Sequence, residues 1–459
     1  MTILSIENLP YEPNSLILME RLVALPWPVL LDSGQHQSDY PSHHVDIIAA
    51  SPSKQISSKD GVTTIVEGEF EAKTIAETLF SAIKNRLPSY TTNKHESLPG
   101  APGWYGCLSY DMGKQLETLP TNTANDLALT DGEFGFYEWV IVTDHEAKST
   151  TLISTPNANL KKVRRLLNEG LRKPQEFSLL GTFSSDQTAA TYKAGFKRIQ
   201  QYIIAGDVYQ INFAQRFSAC YQGSTWTAYK ALRAKNPAPM GAFFSNGQFE
   251  LLSLSPERFI QSRNGSLITS PIKGTRPRDS NKEVDARSAE DLRNSEKDQA
   301  ENLMIVDLLR NDFGKVCVPG SVKVPVLFEV ESYPTVHHLV STITGKLKHD
   351  YEGIDAIEKG FPGGSITGAP KIRAMEIIDE LETHHRSYYC GSMAYFDVLG
   401  HCDSNINIRT FIAKKGEIHC WGGGGIVADS ICEQEYQETF DKVGPYLALL
   451  EALGKDDDC

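Results

Sequence analysis

The chain has 459 residues, 40% apolar and 22% charged, and a formal charge of −13. This is the balance of a globular protein rather than a disordered one, and its acidity argues against a nucleic-acid binder, which normally shows a basic footprint. No basic leader precedes an apolar run, and nothing approaches the roughly eighteen consecutive apolar residues of a membrane span, so a soluble cytoplasmic protein is expected.

Eight cysteines are scattered without a C-x-x-C pair, which suggests reduced thiols and neither a disulfide framework nor a zinc site. Up to about residue 180, strand-like runs such as P-V-L-L-D-S (28–33), V-D-I-I-A-A (45–50) and W-V-I-V-T (139–143) alternate with connections such as the turn-rich L-P-G-A-P-G-W-Y-G (98–106). The polar stretch 170–190 reads as a seam. It divides a strand-rich region, 1–180, interleaved with the core, from a second region, 190–455.

In the second region, Tyr192, Phe196, Ile199, Tyr202 and Ile203 fall at helical spacing and Gly206 closes the run. The segment D-V-Y-Q-I-N-F-A-Q-R-F alternates like a strand. Further strands are predicted at F-F-S, F-E-L-L-S-L-S and S-L-I-T-S-P-I, and helices near 295–310 and 434–451. The fold class is α+β: large antiparallel β-sheets in a sandwich-like core, flanked by helices.

Several side chains in this region could carry chemistry. Glu301 shares a helical stripe with Ile305 and Leu308, where a carboxylate is costly unless it is paired, bound to a metal or able to reach water at the edge. Glu435, Glu438 and Lys442 share a face of the last helix, as a solvated ion pair would, or as oxygen ligands of a hard cation would. With Glu301 they could hold Mg²⁺, which would offer positive charge to an anionic substrate. The glycine-rich segments F-P-G-G-S-I-T-G-A-P-K (361–371), C-G-S-M-A-Y (390–395) and W-G-G-G-G-I-V-A-D-S (421–430) match no nucleotide-binding fingerprint; they could be plain turns, or their amides could face a carboxylate. Arg409 closes the alternating N-I-N-I-R and could grip a carboxylate two-pronged, or be an ordinary surface arginine. His338 and Lys273 are equally open when read alone.

In sequence order, S-P-E-R-F, P-I-K-G-T-R-P-R, A-E-N-L-M-I-V-D-L-L-R-N-D, H-H-L-V-S, G-G-S-I-T-G-A-P-K, I-N-I-R-T, G-G-G-I-V-A-D-S and E-Y-Q-E-T resemble the motifs of the chorismate-utilising enzymes. These include component I of anthranilate synthase and the aminodeoxychorismate, isochorismate and salicylate enzymes. The match spans 190–450 and implies that this region binds chorismate. Most relatives have a small residue where this chain has Lys273, and the P-I-K-G-T form resembles the aminodeoxychorismate branch.

That resemblance implies a covalent route in which Lys273 adds to C2 of chorismate as the 4-hydroxyl leaves. Ammonia then enters at C4 and expels the lysine, giving 4-amino-4-deoxychorismate, a precursor of 4-aminobenzoate and folate. Glu257 takes the general acid–base position, although a glutamate merely paired to Arg258 would look the same in sequence. Glu301 and Glu438, with Glu435 close by, are implied Mg²⁺ ligands. Tyr389, Arg409, Gly423, Gly425 and Lys442 match positions that hold the enolpyruvyl carboxylate, and Ser365 and Gly368 lie beside the ring carboxylate. His338 lies near the C4 hydroxyl, with Thr275 also at the substrate. Gln210 stands where the water-adding enzymes have a lysine base.

The chain departs from the anthranilate enzymes at Asn302, where they have histidine, and at L-L-D-S and N-P-A-P-M, the counterparts of their tryptophan pocket. A tryptophan-like pocket is expected near Ser33, Pro239 and Met240. No glutaminase signature is present, so a separate glutamine amidotransferase subunit is the expected ammonia donor. The rival expectations are anthranilate synthase component I and a non-catalytic chorismate- or tryptophan-binding regulatory subunit.

Overall fold

The computed structural model describes residues 3–34, 44–68, 70–92, 98–171, 175–333 and 336–453. Among these, the strands form two large antiparallel sheets, one of 13 strands and one of 12, with helices against them. Both sheets draw strands from early and late in the chain. In the first, Val29–Asp32 lies between Val45–Ala49 and Met240–Ser245; in the second, Gly103–Leu108 pairs with Ser392–Asp397.

Strand alternation explains how the layers are filled, because successive side chains point to opposite faces. In the first sheet Ile47, Phe244, Leu251 and Ile412 join the central core, which they share with Trp104, Phe134 and Phe259 of the second. Their neighbours Ile48, Phe243, Leu252 and Phe411 join an outer core. The outer core is covered by the helices Ser15–Leu22, Thr225–Lys235 and Gly444–Ala452. With both faces buried, these strands read as nearly continuous apolar runs. Leu251 and Leu252 are both fully buried, as are Ile412 and Ala413.

Three local expectations need correction. The stretch 98–106 is not only a connection: Gly103–Leu108 is a fully buried strand. Its glycines serve close packing, since a Cβ on Gly106 would lie 1.9 Å from the Glu133 carbonyl oxygen. The last helix is two helices, Cys432–Asp441 and Gly444–Ala452, with Pro445 in the first turn of the second, where a missing N–H costs nothing. The helix near 295–310 runs Glu296–Val316 and follows another, Lys282–Arg293, whose only buried residue is Leu292; it therefore has no apolar stripe to read.

The helix Ala189–Ala205 forms as expected, with Tyr192, Phe196, Ile199 and Tyr202 buried and Gly206 as a left-handed C-cap. The seven described cysteines are free thiols, and Cys107, Cys317, Cys390, Cys402 and Cys420 are buried. Among the described residues no helix is long and apolar enough to cross a membrane.

Candidate active site

Lys273 lies on the strand Ile272–Pro277, which pairs with Val336–Lys346 so that Lys273 faces Leu339 and Thr275 faces His338. The register shifts between them at Gly274, where φ is +74° and an added Cβ would meet Leu292 at 2.7 Å and Asp298 at 2.9 Å. Only glycine suits both that backbone and that space. The Lys273 ammonium donates to the Ser365 carbonyl at 3.3 Å. Burial strips water from it and lowers its pKa, although Glu301 and Glu257 pull the other way.

Glu257 occupies the corner where the chain leaves Glu250–Ser255 of the first sheet and enters Arg258–Arg263 of the second. Its backbone is held on both sides: its N–H donates to Ser255 Oγ at 3.2 Å, and its carbonyl accepts from Ile406 N–H at 3.0 Å. Its carboxyl, 5% exposed as a residue, is pushed up to about 7 by burial, against donation from the Ser365 hydroxyl, the Lys273 charge and the Ile272 N–H. Arg258 turns instead to Asp403, with contacts of 3.0 and 3.1 Å. One residue, Ser365, thus touches both reactive candidates, through its carbonyl and its hydroxyl.

Three glutamates approach from two helices. Glu301, half-buried on Glu296–Val316, is raised by burial, partly offset by Lys273 and Lys297, and has no hydrogen-bond or ion-pair partner among the described residues. Glu435 is also raised by burial and accepts from Ser430 Oγ at 2.6 Å. Burial works to raise Glu438 too, but Lys442 at 2.6 Å, together with Lys273 and Lys297, outweighs it and the net shift is downward. Lys442 also donates to the Gly423 carbonyl at 2.9 Å.

Glu435 and Glu438 converge over the strand Glu417–Ile426: a Cβ on Gly424 would stand 3.2 Å from one carboxylate and 3.3 Å from the other. Among the described residues no three His, Cys, Asp or Glu side chains gather tightly enough to enclose a metal. Mg²⁺ does not require that, because it keeps several waters and takes one or two carboxylates plus substrate oxygens. The hard oxygen donors and the glycine cradle fit it. If Glu435 and Glu438 hold Mg²⁺, Gly424→Ala is expected to weaken its binding by roughly tenfold or more, by crowding the two carboxylates; calorimetric titration with MgCl₂ reads this directly, and unchanged affinity would place any metal elsewhere.

Tyr389 is buried and stacks on Trp421, with ring centroids 5.7 Å apart and planes 5° from parallel. The half-buried Arg409 has φ of +52°, and its guanidinium makes no hydrogen bond or ion pair among the described residues, which leaves its fork free for a carboxylate. His338 is pushed down to about 3, by burial and then by Arg409, and is therefore neutral; its Nδ1 lies 3.0 Å from Thr275 Oγ1. Gln210 pairs with Ala369 beside Gly368, and its side-chain oxygen is buried without a hydrogen-bond partner among the described residues. Gly425 packs against the Gln210 amide, where an added Cβ would be 2.3 Å away. Lys297, Trp421 and Ser430 were not among the sequence candidates. Lys297 lies one helical turn before Glu301, a spacing that does pair side chains.

Ser33, Pro239 and Met240 come together elsewhere. They line a cavity of about 90 Å³ with Arg258, Arg263 and Tyr395. The cavity lies apart from Lys273, but Arg258 and Asn405 on its wall are one residue from Glu257 and Ile406.

The paired sheets with their flanking helices define a fold class, and comparison agrees. The model of the chorismate binding enzymes matches residues 28–448, and the chain belongs to that family. Within it, the chain is 44% identical to aminodeoxychorismate synthase component 1 of Salmonella typhimurium, over 93% of this chain and 94% of the relative. It is 45% identical to the protein of that name from Escherichia coli, over 94% and 95%. Among solved structures it resembles anthranilate synthase component I from Streptococcus pneumoniae, with a TM-score of 0.78 and 30% identity, covering 90% of this chain and 94% of that one.

Proposed function

We propose that the protein converts chorismate and ammonia to 4-amino-4-deoxychorismate and water, working in the cytoplasm. The observation that carries this reading is Lys273, a half-buried amine of lowered pKa that shares Ser365 with a carboxyl pushed up to about 7. The free amine adds to C2 as the ring double bonds shift and the 4-hydroxyl departs; Glu257 gives that hydroxyl its proton, so water leaves. Ammonia then bonds to C4 and the C2–nitrogen bond breaks, returning the electron pair to Lys273. Arg409 and Lys442 hold the enolpyruvyl carboxylate against Tyr389, and neutral His338 hydrogen-bonds near C4 without adding charge.

Glu301, Glu435 and Glu438 would hold Mg²⁺, which supplies positive charge opposite the ring carboxylate. Ammonia comes from a separate glutamine amidotransferase, and a separate lyase would give 4-aminobenzoate. Incubation with chorismate, MgCl₂ and ammonium salt, with products identified by mass, tests the reading. Anthranilate as sole product would replace it with the anthranilate reaction, and no turnover would favour a regulatory chain.

The cavity at Ser33, Pro239 and Met240 supports a second reading, a tryptophan pocket. Asp46 fixes its lip by accepting from Ser33 N–H at 2.7 Å and Ser33 Oγ at 2.6 Å. Saturating tryptophan is expected to raise the melting temperature, and Met240→Trp to abolish the rise; no rise in the unsubstituted protein would leave the cavity without this ligand.

A further inference from the structure

The segment Glu382–Tyr389 holds a buried charge pair that the proposed chemistry does not use. Arg386, 1% exposed, donates to both carboxylate oxygens of Glu382, at 2.9 and 2.6 Å. Its remaining donors go to backbone at the site. One reaches the Ile366 carbonyl at 2.9 Å and another the Asn212 carbonyl at 2.7 Å. Glu382 also accepts from the Ala214 N–H at 2.9 Å, and Asn212 Nδ2 donates to the same Ile366 carbonyl at 2.9 Å. The guanidinium carbon lies 5.8 Å from the Tyr389 ring centroid and 4.7 Å from that of Tyr110.

A buried ion pair is weak evidence for stability, because desolvation consumes most of its attraction. What this pair does geometrically is specific. It joins the turn Gly364–Ile366 to the strand Gln210–Gly223, and Ser365 at the centre of that turn bonds to Lys273 and Glu257. We propose that Arg386, oriented by Glu382, is a positioning residue that holds the Ser365 turn in register with Lys273 and Glu257. The inference rests on the lysine–glutamate reading above. Arg386 touches neither reacting group; it fixes the turn that does.

The test uses the full chain with chorismate, MgCl₂ and ammonium salt. Arg386→Lys keeps a charge beside Glu382 and loses the fork. The double replacement Arg386→Met with Glu382→Leu removes both charges together, a change that buried pairs tolerate. Each is expected to lower kcat by about 100-fold, the cost of slight misplacement, with chorismate KM moving by less than about threefold. The pH profile of kcat should also shift, the Lys273 pKa moving down and the Glu257 pKa moving up. Without Ser365, Lys273 loses an acceptor that favours its charged form, and Glu257 loses a donor that favours its charged form.

A variant with the native circular dichroism spectrum, unchanged kcat and an unchanged pH profile would overturn the proposal, as would a loss confined to KM. Loss of the native spectrum in both variants would overturn it too, by making the pair a folding element. Failure of the underlying reading looks different: the unsubstituted chain itself would form no 4-amino-4-deoxychorismate, and this proposal would fall with it.

Discussion

Lys273→Ala is expected to slow formation of 4-amino-4-deoxychorismate by about 10³-fold or more, equivalent to about 4 kcal/mol of barrier, while melting no lower than the unsubstituted protein. The kinetic part follows if the covalent route is the one used, since alanine has no nitrogen to add at C2. The thermal part follows from the sign of the pKa shift. Lys273 is lowered in the fold chiefly by burial, so its ammonium is less comfortable there than in the unfolded chain. That charge is a cost to folding at every pH where the unfolded lysine is protonated, and removing it takes away the cost. Product formation followed by chromatography and mass, beside a melting curve, checks both parts. An unchanged rate would remove Lys273 as nucleophile and return the chain to direct amination.

Glu257→Gln comes second, with an expected loss of about 10²–10⁴-fold in kcat, the usual range for removing a general acid–base group. In the unsubstituted enzyme the rate needs Lys273 without its proton and Glu257 with its own, so the ionisation of Glu257 near pH 7 should appear as one limb of the pH profile of kcat. Glutamine has no such ionisation, so that limb should vanish with the rate. Stability moves the other way. The folded carboxyl has its pKa raised above the ordinary 4.5, so the fold binds the proton more tightly than the unfolded chain and loses stability as pH climbs from about 4.5 to 7. Glu257→Gln should therefore melt higher than the parent at pH 8 and nearly alike at pH 4.5. Equal melting temperatures at pH 8 would show that Glu257 is not strained by burial.

The antiparallel α+β architecture was legible because the strands read as short apolar runs bounded by turn residues and the helix Ala189–Ala205 carries a clean 3.6-residue period. Gly103–Leu108 was harder to see, since glycines required for close sheet packing look like turn glycines. Lys282–Arg293 was invisible because a helix with one buried residue has no stripe. At the site, Lys273, Glu257 and Glu301 could be named from order and motif, but not how they meet. Ser365 links Lys273 to Glu257 across 92 positions of sequence in the first contact, and periodicity carries no information at that range. Arg386 was passed over for a related reason: in H-H-R-S-Y-Y it looks like any surface arginine, and only the fold shows that it is buried.

The way the first sheet shares early and late strands has a consequence for how the chain is made. Val29–Asp32 pairs on one side with Val45–Ala49, emerging moments later, and on the other with Met240–Ser245, roughly 200 residues on. At ribosomal speeds of about 5–20 residues per second, that edge stays unpaired for about 10–40 seconds on the growing polypeptide. An apolar V-L-L edge left open so long invites pairing with a neighbouring nascent chain. Slow translation or scarce chaperones should therefore deplete this protein through aggregation before any mature molecule has formed.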